Sequence, residues 1–431
     1  MKRLGGIWGD VVDKDNGVHA IIDGTRFKRH QRAVQFLLYS DEDVAKDPNL
    51  WHQIDPNRAE PYAEQLADGL KTHTWHHRPP RYKRQHCRNR ASSKGKWRDL
   101  YIPTLADHIV AHMVMSASIK AFTRGMHPHC CGSVPDRGIA HVNRTVKRWM
   151  QSDRACRYFV KLDIRHFFDN IDRDKLLEVL GKKIKDKDVM WVMQEIIDSA
   201  PIPCPVGYYT SPWFANLYLE DLDWFVEQQL YKERRGKRIK YVRHYLRYVD
   251  DILLIGTSRN DLGKAIRAIQ DFLRTERCGL EIKPTWEIKA IGRHELVDGE
   301  WRLKQGTYWC DIGGYKFCKD STILRDGIFL ASRRLAKDMS KGEYYTYHQS
   351  CSINSRIGWA SHCDSKNFFK YDIDPYVDLK TTRRVVSDVG KSRKQRQSYP
   401  GGSGAVGELY DRQAWVSVDH GNSRDPGALR V

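Results

Sequence analysis

The chain of 431 residues is long enough for a large core and for two or three subdomains. Its hydrophobic fraction of 40% and aromatic fraction of 11% exclude an intrinsically disordered chain. The formal net charge of +19 predicts a polyanionic partner, most simply nucleic acid. A basic protein without such a partner is the alternative.

The sequence carries no signal for a membrane or for an oxidising compartment. No apolar run approaches the roughly 20 residues that a membrane-spanning helix needs, so we expect no membrane partner. Residues 1–17 lack the apolar core of a signal peptide, which predicts a cytoplasmic location. The ten cysteines include no C-x-x-C pair, and this pattern predicts reduced thiols rather than a disulfide framework.

The first strong local signal is a basic strip from Lys71 to Arg98. It follows a region, 25–70, whose apolar residues recur at helical spacing. The strip holds ten Lys or Arg, four His and no acidic residue. A solvated basic loop is one interpretation. Because Trp75, Tyr82 and Trp97 are interleaved with the charges, we favour a strip that binds phosphates and stacks on bases.

A helix is predicted from Leu105 to Phe122, followed by the loop Gly132–Gly138 and a second helix from Ile139 to Met150. Next, the apolar run before Asp163 has the composition of a strand, and Asp163 lies at the end of this run. A carboxylate carried on a strand is what a two-metal phosphoryl-transfer site requires.

The stretch from Val206 to Val226 predicts a glycine-containing loop that leads into a helix. Ser211 is a good helix N-cap, and Pro212 suits the first helical position. Gly207 lacks a side chain, so its backbone can approach a nucleotide or a template base closely.

Two adjacent carboxylates, Asp250 and Asp251, lie between the predicted strands 241–249 and 252–256. A surface turn is the alternative for an isolated Asp-Asp pair. Two ionised carboxylates side by side repel each other, so a fold that places them together usually supplies a cation. A helix is then predicted from Asn260 to Cys278. Further on, 311–317 predicts a short strand pair with a Gly-Gly bend, and the chain from Ser321 onward looks helical.

These stretches, in this order, resemble motifs A, B, C and E of reverse transcriptases, and the resemblance runs from about Lys94 to about Val377. It implies an α+β, right-hand polymerase fold with fingers, palm and α-helical thumb. The implied domains are fingers with an N-terminal helical region at 1–150, palm at 151–318, thumb at 319–390 and a flexible basic, Gly-rich tail at 391–431. No second enzyme domain is expected.

The resemblance also implies roles for individual residues. Asp163, Asp250 and Asp251 are the expected catalytic residues and, together with Ile164, the expected metal site. Phe168 is expected to exclude a ribose 2′-hydroxyl, with Phe167 in the core, and Lys283 is either a proton donor to pyrophosphate or a surface lysine. Besides Phe168 and Lys283, the expected nucleotide-binding residues are Lys96, Arg98, Gly207, Ser211 and Pro212. The expected primer and template contacts are Arg137, Tyr248, Gly313, Gly314 and Tyr315.

The loop before the second predicted helix departs from the resemblance at one position. Bacterial reverse transcriptases often carry a second glycine where this chain has Asp136.

The implied activity is that of an RNA-directed DNA polymerase. Its expected cofactor is a pair of Mg²⁺ ions, with Mn²⁺ as a substitute, and its expected partners are a structured non-coding RNA template, dNTPs and the cDNA product. We favour a role in antiphage defence; a retron enzyme or a diversity-generating element is the alternative. A non-catalytic RNA-binding scaffold and a template-independent or RNA-making polymerase are further alternatives. Homo-oligomerisation stays open.

Overall fold

The computed structural model describes residues 3–26, 28, 34, 56–87 and 95–397. These residues divide into two units. The first unit contains the described residues up to 87, residues 95–313 and Phe317–Asp320. The second contains Gly314–Lys316 and the described residues from Ser321 onward.

Helices and strands alternate irregularly along the chain, as in α+β proteins. The chain begins with α1 (Trp8–Val11), α2 (Lys14–Thr25), α3 (Pro56–Lys71), β1 (Arg81–Cys87), β2 (Lys96–Ile102), α4 (Leu105–Thr123), β3 (Cys130–Cys131), α5 (Ile139–Ser152) and β4 (Tyr158–Asp163). It continues with α6 (Arg173–Lys183), α7 (Lys187–Asp198), α8 (Ser211–Tyr218), α9 (Glu220–Gln228), β5 (Tyr231–Arg234), β6 (Lys237–Lys240), β7 (His244–Tyr248), β8 (Asp251–Gly256) and α10 (Arg259–Glu276). It ends with β9 (Lys289–Ala290), β10 (His294–Val297), β11 (Glu300–Leu303), β12 (Cys310–Ile312), β13 (Tyr315–Phe317), β14 (Thr322–Leu324), α11 (Asp326–Met339), α12 (Tyr347–Ala360), α13 (Lys366–Phe368), a π-helical turn (Phe369–Ile373) and α14 (Leu379–Gln397).

The centre of the first unit is a five-stranded sheet in the order β3-β7-β8-β4-β9. Strand β8 is antiparallel to both β7 and β4, whereas β3 runs parallel to β7. All four residues from Ile252 to Ile255 are buried, which means that both faces of β8 are covered. A continuous apolar run is the expected composition of such a strand.

Helix α10 shows how the helices cover this sheet. The predicted helix over 260–278 is confirmed, and its predicted apolar face of Leu262, Ile266, Ile269 and Leu273 is buried. Ser258 begins the helix, because its side chain accepts a hydrogen bond from Asp261 N. The polar face remains in solvent, so amphipathic spacing alone accounts for the placement of α10.

Several predicted boundaries were wrong. Strand β7 begins at His244 rather than at residue 241, and the predicted helix after Ser211 breaks at Leu219 into α8 and α9. The region from Ser321 begins with strand β14 before its first helix. Part of the predicted helical region 25–70, namely residues 27, 29–33 and 35–55, lies outside the described residues.

The second unit is built mainly from helices, as predicted for its part of the chain. Thr346 begins α12 with a capping box, in which Thr346 and Gln349 each hydrogen-bond to the other's backbone. Tyr315 packs on Trp359 with ring centroids 5.7 Å apart. Helix α14 extends to Gln397, past the predicted start of the tail at residue 391, and 398–431 lie outside the described residues.

Over the residues described, no helix is both long enough and apolar enough to cross a membrane.

A buried histidine on α4 should make the first unit sensitive to acid. His108 Nε2 lies 3.2 Å from the Gly24 carbonyl oxygen, and burial lowers the pKa of His108 to about 3. The unfolded pKa is higher, at about 6.5, so the unfolded chain binds the proton first as the pH falls. The contribution of His108 to the free energy of unfolding is therefore fully present above pH 6.5 and is lost progressively as the pH falls below that value.

We expect the unfolding free energy to fall by about 2 kcal/mol between pH 7 and pH 5 on account of His108. His108→Gln keeps a donor for Gly24 but does not titrate, and this variant should lose correspondingly less stability over the same interval. Denaturant unfolding at both pH values measures the difference. An identical pH dependence in the two proteins would contradict this assignment.

Candidate active site

The three predicted catalytic carboxylates lie together at one end of the central sheet. Asp163 is the last residue of β4 and Asp251 is the first residue of β8, and the two are direct partners in the antiparallel register. Directly opposed residues have Cα atoms about 4.5 to 5.5 Å apart and share one face of the sheet. Asp250 precedes Asp251 in the turn that joins β7 to β8. The sheet therefore brings together side chains that are 88 residues apart in sequence.

The electrostatics at this end of the sheet disfavour three ionised carboxylates without a bound cation. The pKa of Asp250 is raised, first by burial and then by the negative charges of Asp251 and Asp163. Asp251 is exposed, so the group of carboxylates is open to solvent. A cation bound among these oxygens would relieve the repulsion.

Lys283 provides one positive charge at the carboxylates. Its Nζ lies 2.7 Å from Asp163 Oδ1 and 2.8 Å from Asp163 Oδ2. The backbone fixes this pairing, because Lys283 N donates to the Asp163 carbonyl oxygen. Lys283 is thus an ion-pair partner of Asp163 and not an isolated surface lysine; its role as a proton donor stays a prediction.

The predicted metal ligand Ile164 is buried next to Asp163. It forms an isolated antiparallel bridge with Ile282. The hydrogen bonds of this bridge run from Lys283 N to Asp163 O and from Arg165 N to Glu281 O. In such a pair the central residue directs its own N–H and C=O to the other side. The Ile164 carbonyl therefore points away from Ile282, and its role as a metal ligand stays a prediction.

The turn that carries Asp250 rests on a buried guanidinium that sequence reasoning missed. The side chains of Arg247 and Asp223 are both fully buried. Arg247 Nε and one terminal nitrogen donate to the two carboxylate oxygens of Asp223 at 2.6 and 2.7 Å. The other terminal nitrogen donates to the carbonyl oxygen of Val249 at 2.9 Å. Arg247 thereby connects the turn to helix α9, and its position before the Tyr-x-Asp-Asp box was the only signal available in the sequence.

Asn216 extends this network to the loop after β3. Its side-chain oxygen accepts a hydrogen bond from Arg247 at 3.0 Å, and its amide donates to the Gly132 carbonyl at 2.8 Å. Gly132 has a φ of +84°, and a Cβ there would lie 2.9 Å from Val249 Cγ2. Only glycine lets the loop approach the turn this closely.

The same loop explains the departure at Asp136. Asp136 adopts a φ of +61°, a conformation in which glycine is unstrained and aspartate is one of the better tolerated alternatives. Arg137, predicted to contact phosphate or template, is half-buried and donates to the His127 carbonyl at 2.8 Å. This hydrogen bond gives Arg137 a structural partner, and its contact with nucleic acid stays a prediction.

In the predicted nucleotide-binding loop, the structure corrects the position of the helix N-cap and shows what Gly207 contacts. Ser211 is not the N-cap of α8: Thr210 occupies that position, and the Ser211 hydroxyl donates to the Pro205 carbonyl at 2.8 Å. Pro212 is consequently the second helical residue. Gly207 does make a close approach, but to protein: a Cβ at its φ of +119° would lie 2.3 Å from the Tyr101 carbonyl oxygen.

The base of the β1–β2 ribbon is joined to this loop. Tyr101 N donates to the Val206 carbonyl at 2.9 Å. Further out on β2, Lys96 and Arg98 are exposed and, being two residues apart, lie on the same face of the ribbon. Trp97 on the opposite face is also exposed, at 58%. The predicted basic strip thus includes an exposed, two-stranded ribbon with aromatic and cationic side chains.

The residues after Asp163 are arranged as predicted for a core phenylalanine followed by an accessible one. Phe167 is buried, whereas Phe168 is only half-buried at the start of a short 3₁₀ turn, Phe168–Asn170. Tyr248, the last residue of β7, is also half-buried. The ring of Phe168 is therefore accessible, as its predicted contact with a ribose requires.

The predicted primer-binding segment is divided between the two units. Gly313 and Gly314 have φ values of +60° and +86° and form the predicted bend. Tyr315 is buried, and its hydroxyl donates to the Trp359 carbonyl at 3.0 Å. The side chain of Tyr315 therefore packs within the second unit, and its contact with the primer stays a prediction.

The carboxylate group fits a divalent cation. Its donors are all oxygen, the ligand type that Mg²⁺ and Mn²⁺ prefer. Three carboxylates lie beside Lys283, so the summed charge of these four side chains is negative when the carboxylates are ionised. Fold and site together define a polymerase-type domain with its carboxylates at the end of the central sheet.

Comparison with known proteins identifies the family of this domain. The family described as reverse transcriptase (RNA-dependent DNA polymerase) matches residues 83–285. The chain therefore contains a reverse transcriptase domain over these residues, and the domain has a right-hand polymerase fold.

Three curated relatives share this similarity. Protein YkfC of Escherichia coli K12 is 25% identical over 41% of this chain and 55% of its own length. The group II intron-encoded protein LtrA of Lactococcus lactis is 28% identical over 38% of this chain and 28% of its own length. Retron Ec73 reverse transcriptase of E. coli is 24% identical over 69% of this chain and 86% of its own length. The chain thus spans about half of YkfC and less than a third of LtrA.

We expect Asp223→Asn to destabilise the first unit by about 3 to 5 kcal/mol, because it leaves the Arg247 guanidinium buried without its carboxylate partner. The matched control is Glu227→Gln on the same helix. Glu227 pairs with Lys240, whose side chain is 51% exposed, so its loss should change stability by about 0 to 1 kcal/mol. Denaturant unfolding of both variants measures the difference, and equal losses would contradict a bracing role for Asp223.

Proposed function

We propose that this protein is an RNA-directed DNA polymerase that copies a structured non-coding RNA into cDNA. The observation that carries the proposal is the register of β4 on β8, which sets Asp163 beside Asp251 and next to Asp250. The reverse transcriptase domain over residues 83–285 supports it.

In this proposal Asp163, Asp250 and Asp251 hold two Mg²⁺ ions, or Mn²⁺ as a substitute, with the Ile164 carbonyl as a further ligand. Two bound ions would activate the primer 3′-hydroxyl and stabilise the charge on the leaving pyrophosphate. The protein contributes position: the β4–β8 register and the braced turn fix the carboxylates before any ligand arrives. Lys283, beside Asp163, is placed to donate a proton to the leaving group.

Substrate selection follows from side chains around the carboxylates. The half-buried ring of Phe168 would crowd a ribose 2′-hydroxyl and so select dNTPs. Lys96 and Arg98, exposed on β2, would bind the triphosphate. Gly207, Ser211 and Pro212 would shape the nucleotide pocket through the backbone. Arg137, Tyr248 and the Gly313–Gly314 bend would contact primer and template.

The net charge of +19 and the exposed aromatic and basic ribbon support a nucleic-acid partner. Similarity to a retron reverse transcriptase over most of that protein's length supports a dedicated, structured RNA template. A retron enzyme is therefore the second candidate beside our preferred role in antiphage defence. The smaller covered share of LtrA gives less support to an intron-encoded enzyme.

Asp250→Ala should abolish nucleotide incorporation on a primed RNA template while leaving RNA binding within about twofold, because Asp250 acts on the reacting phosphate rather than on the template. Asp169→Ala is the control, since Asp169 is an exposed carboxylate that pairs only with His166 among the contacts described here. Primer extension and RNA binding are measured in parallel. RNA binding by a wild type that incorporates nothing would instead support the scaffold alternative.

Phe168→Ala should let the enzyme incorporate rNTPs, since the ring that crowds the 2′-hydroxyl is gone. Phe168→Tyr keeps the ring and should keep the preference for dNTPs. Incorporation of single dNTPs and rNTPs, compared as kcat/KM ratios, measures the change. If Phe168→Ala discriminated as strongly as the wild type, the sugar selection would have to reside elsewhere.

The template is identified by purifying the protein from cells that carry its native locus and sequencing the associated RNA and DNA. We expect one abundant small RNA with complementary DNA that is absent in Asp250→Ala. The same pair of strains, challenged with phage, tests the proposed defence: plating efficiency should fall only with the active enzyme. Mixed cellular RNA without cDNA would contradict a dedicated template.

A further inference from the structure

A second group of metal-ligand side chains lies in the first unit, apart from the carboxylates of the proposed polymerase site. His294 at the start of β10, Cys318 and Asp320 each place one possible ligand atom within 4.8 Å of the other two. His294 Nδ1 lies 2.8 Å from Asp320 Oδ1, and Cys318 Sγ lies 3.0 Å from the same oxygen. The distance from Cys318 Sγ to His294 Nδ1 is 3.9 Å.

We propose that His294, Cys318 and Asp320 form a zinc-binding site, in which Nδ1, Sγ and Oδ1 are three ligands of a tetrahedral ion and water is the fourth. Zinc is borderline soft and accepts this mixture of nitrogen, sulfur and oxygen. The proposal goes beyond the polymerase activity and does not depend on it.

The spacing of the three atoms suits such an ion. Metal–ligand bonds of about 2.0 to 2.3 Å in a tetrahedron set the ligand atoms about 3.3 to 3.8 Å apart. Each of the three observed distances lies within about half an ångström of that interval. Small side-chain rotations would therefore complete the geometry, without a movement of the backbone.

The charge balance also suits a divalent ion. The Cys318 thiol donates to Asp320 Oδ1, and His294 Nδ1 lies within hydrogen-bond distance of the same oxygen. Zinc would displace the Sγ proton to solvent, and His294 would bind through Nδ1 as the neutral tautomer that carries its proton on Nε2. The anionic ligands are then the Cys318 thiolate and the Asp320 carboxylate. Two negative ligands neutralise the charge of one Zn²⁺ ion.

The surrounding backbone already holds these ligands in place. His294 N donates to Asp320 Oδ2 at 2.8 Å, and Lys319 N donates to the Gly292 carbonyl at 2.8 Å. The second carboxylate oxygen is thus occupied by an outer-shell partner, as is usual for ligands of bound metals. A bound ion would cross-link the start of β10 to Phe317–Asp320, which is the last segment of the first unit.

A chemically similar group elsewhere provides a matched control. Asp153, Cys156 and His244 also bring three ligand atoms together. There, however, Arg243 hydrogen-bonds to Asp153 Oδ2, and Lys319 Nζ donates to the Asp153 carbonyl at 2.8 Å. Two cationic side chains beside Asp153 disfavour a dication, so we assign the site to His294, Cys318 and Asp320.

The test is Co²⁺ binding to the reduced, full-length protein in excess Mg²⁺, which occupies the proposed polymerase site. That site contains no cysteine, so a thiolate-to-cobalt charge-transfer band reports only on a cysteine-containing site. We expect one equivalent of Co²⁺ to produce the band, Zn²⁺ to displace it, and Cys318→Ser to abolish it. Cys156→Ser should leave it unchanged.

A second measurement separates ligand loss from misfolding. Zn²⁺ should raise the melting temperature of the wild type, whereas His294→Ala and Asp320→Asn should melt like the metal-free wild type and bind Zn²⁺ at least about tenfold more weakly. A wild type without the cobalt band would overturn the proposal. A band that survives Cys318→Ser, or that disappears in Cys156→Ser, would also overturn it.

Discussion

The structure of the candidate active site depends on one buried ion pair, between Arg247 and Asp223. Both side chains are shielded from solvent, so the attraction between them is weakly screened, and removal of either would leave an uncompensated charge. Their net contribution to stability can be small, because burying two charges is costly. The pair also fixes the position of the turn, because Arg247 donates to the Val249 carbonyl. Val249 has a φ of +58°, a conformation that the surrounding contacts must maintain.

The site therefore has two layers with different physical demands. The chemical layer consists of carboxylates that must stay open to solvent and cations, and which repel one another until a cation is bound. The supporting layer is buried and complete in its hydrogen bonds: Arg247, Asp223, Asn216 and the loop at Gly132 leave the turn little freedom. Such a division lets an electrostatically unfavourable arrangement persist in the absence of ligand, because the supporting layer fixes the backbone that carries it.

Sequence patterns predicted the chemical layer better than the supporting one. Asp163, Asp250 and Asp251 were identifiable because each lies at the end of an apolar strand or in the turn beside one, and the apolar face of α10 follows directly from helical spacing. Asp223 looked like one more acidic residue on a helix, since only tertiary contacts show that it is buried. The packing contacts of Gly207 and Tyr315 were missed for the same reason: a glycine or an aromatic residue in a motif serves packing as readily as ligand binding, and the partners Tyr101 and Trp359 are distant in sequence.

The most direct test of the central claim is a crystal structure of the protein with a primer–template duplex, a non-reactive dNTP analogue and Mn²⁺, examined by anomalous scattering. Our account predicts two Mn²⁺ peaks about 3.5 to 4 Å apart, both within coordinating distance of the carboxylates of Asp163, Asp250 and Asp251. Lys283 should then have left Asp163. A single peak, or peaks bound away from these carboxylates, would contradict the two-metal site and the proposed function.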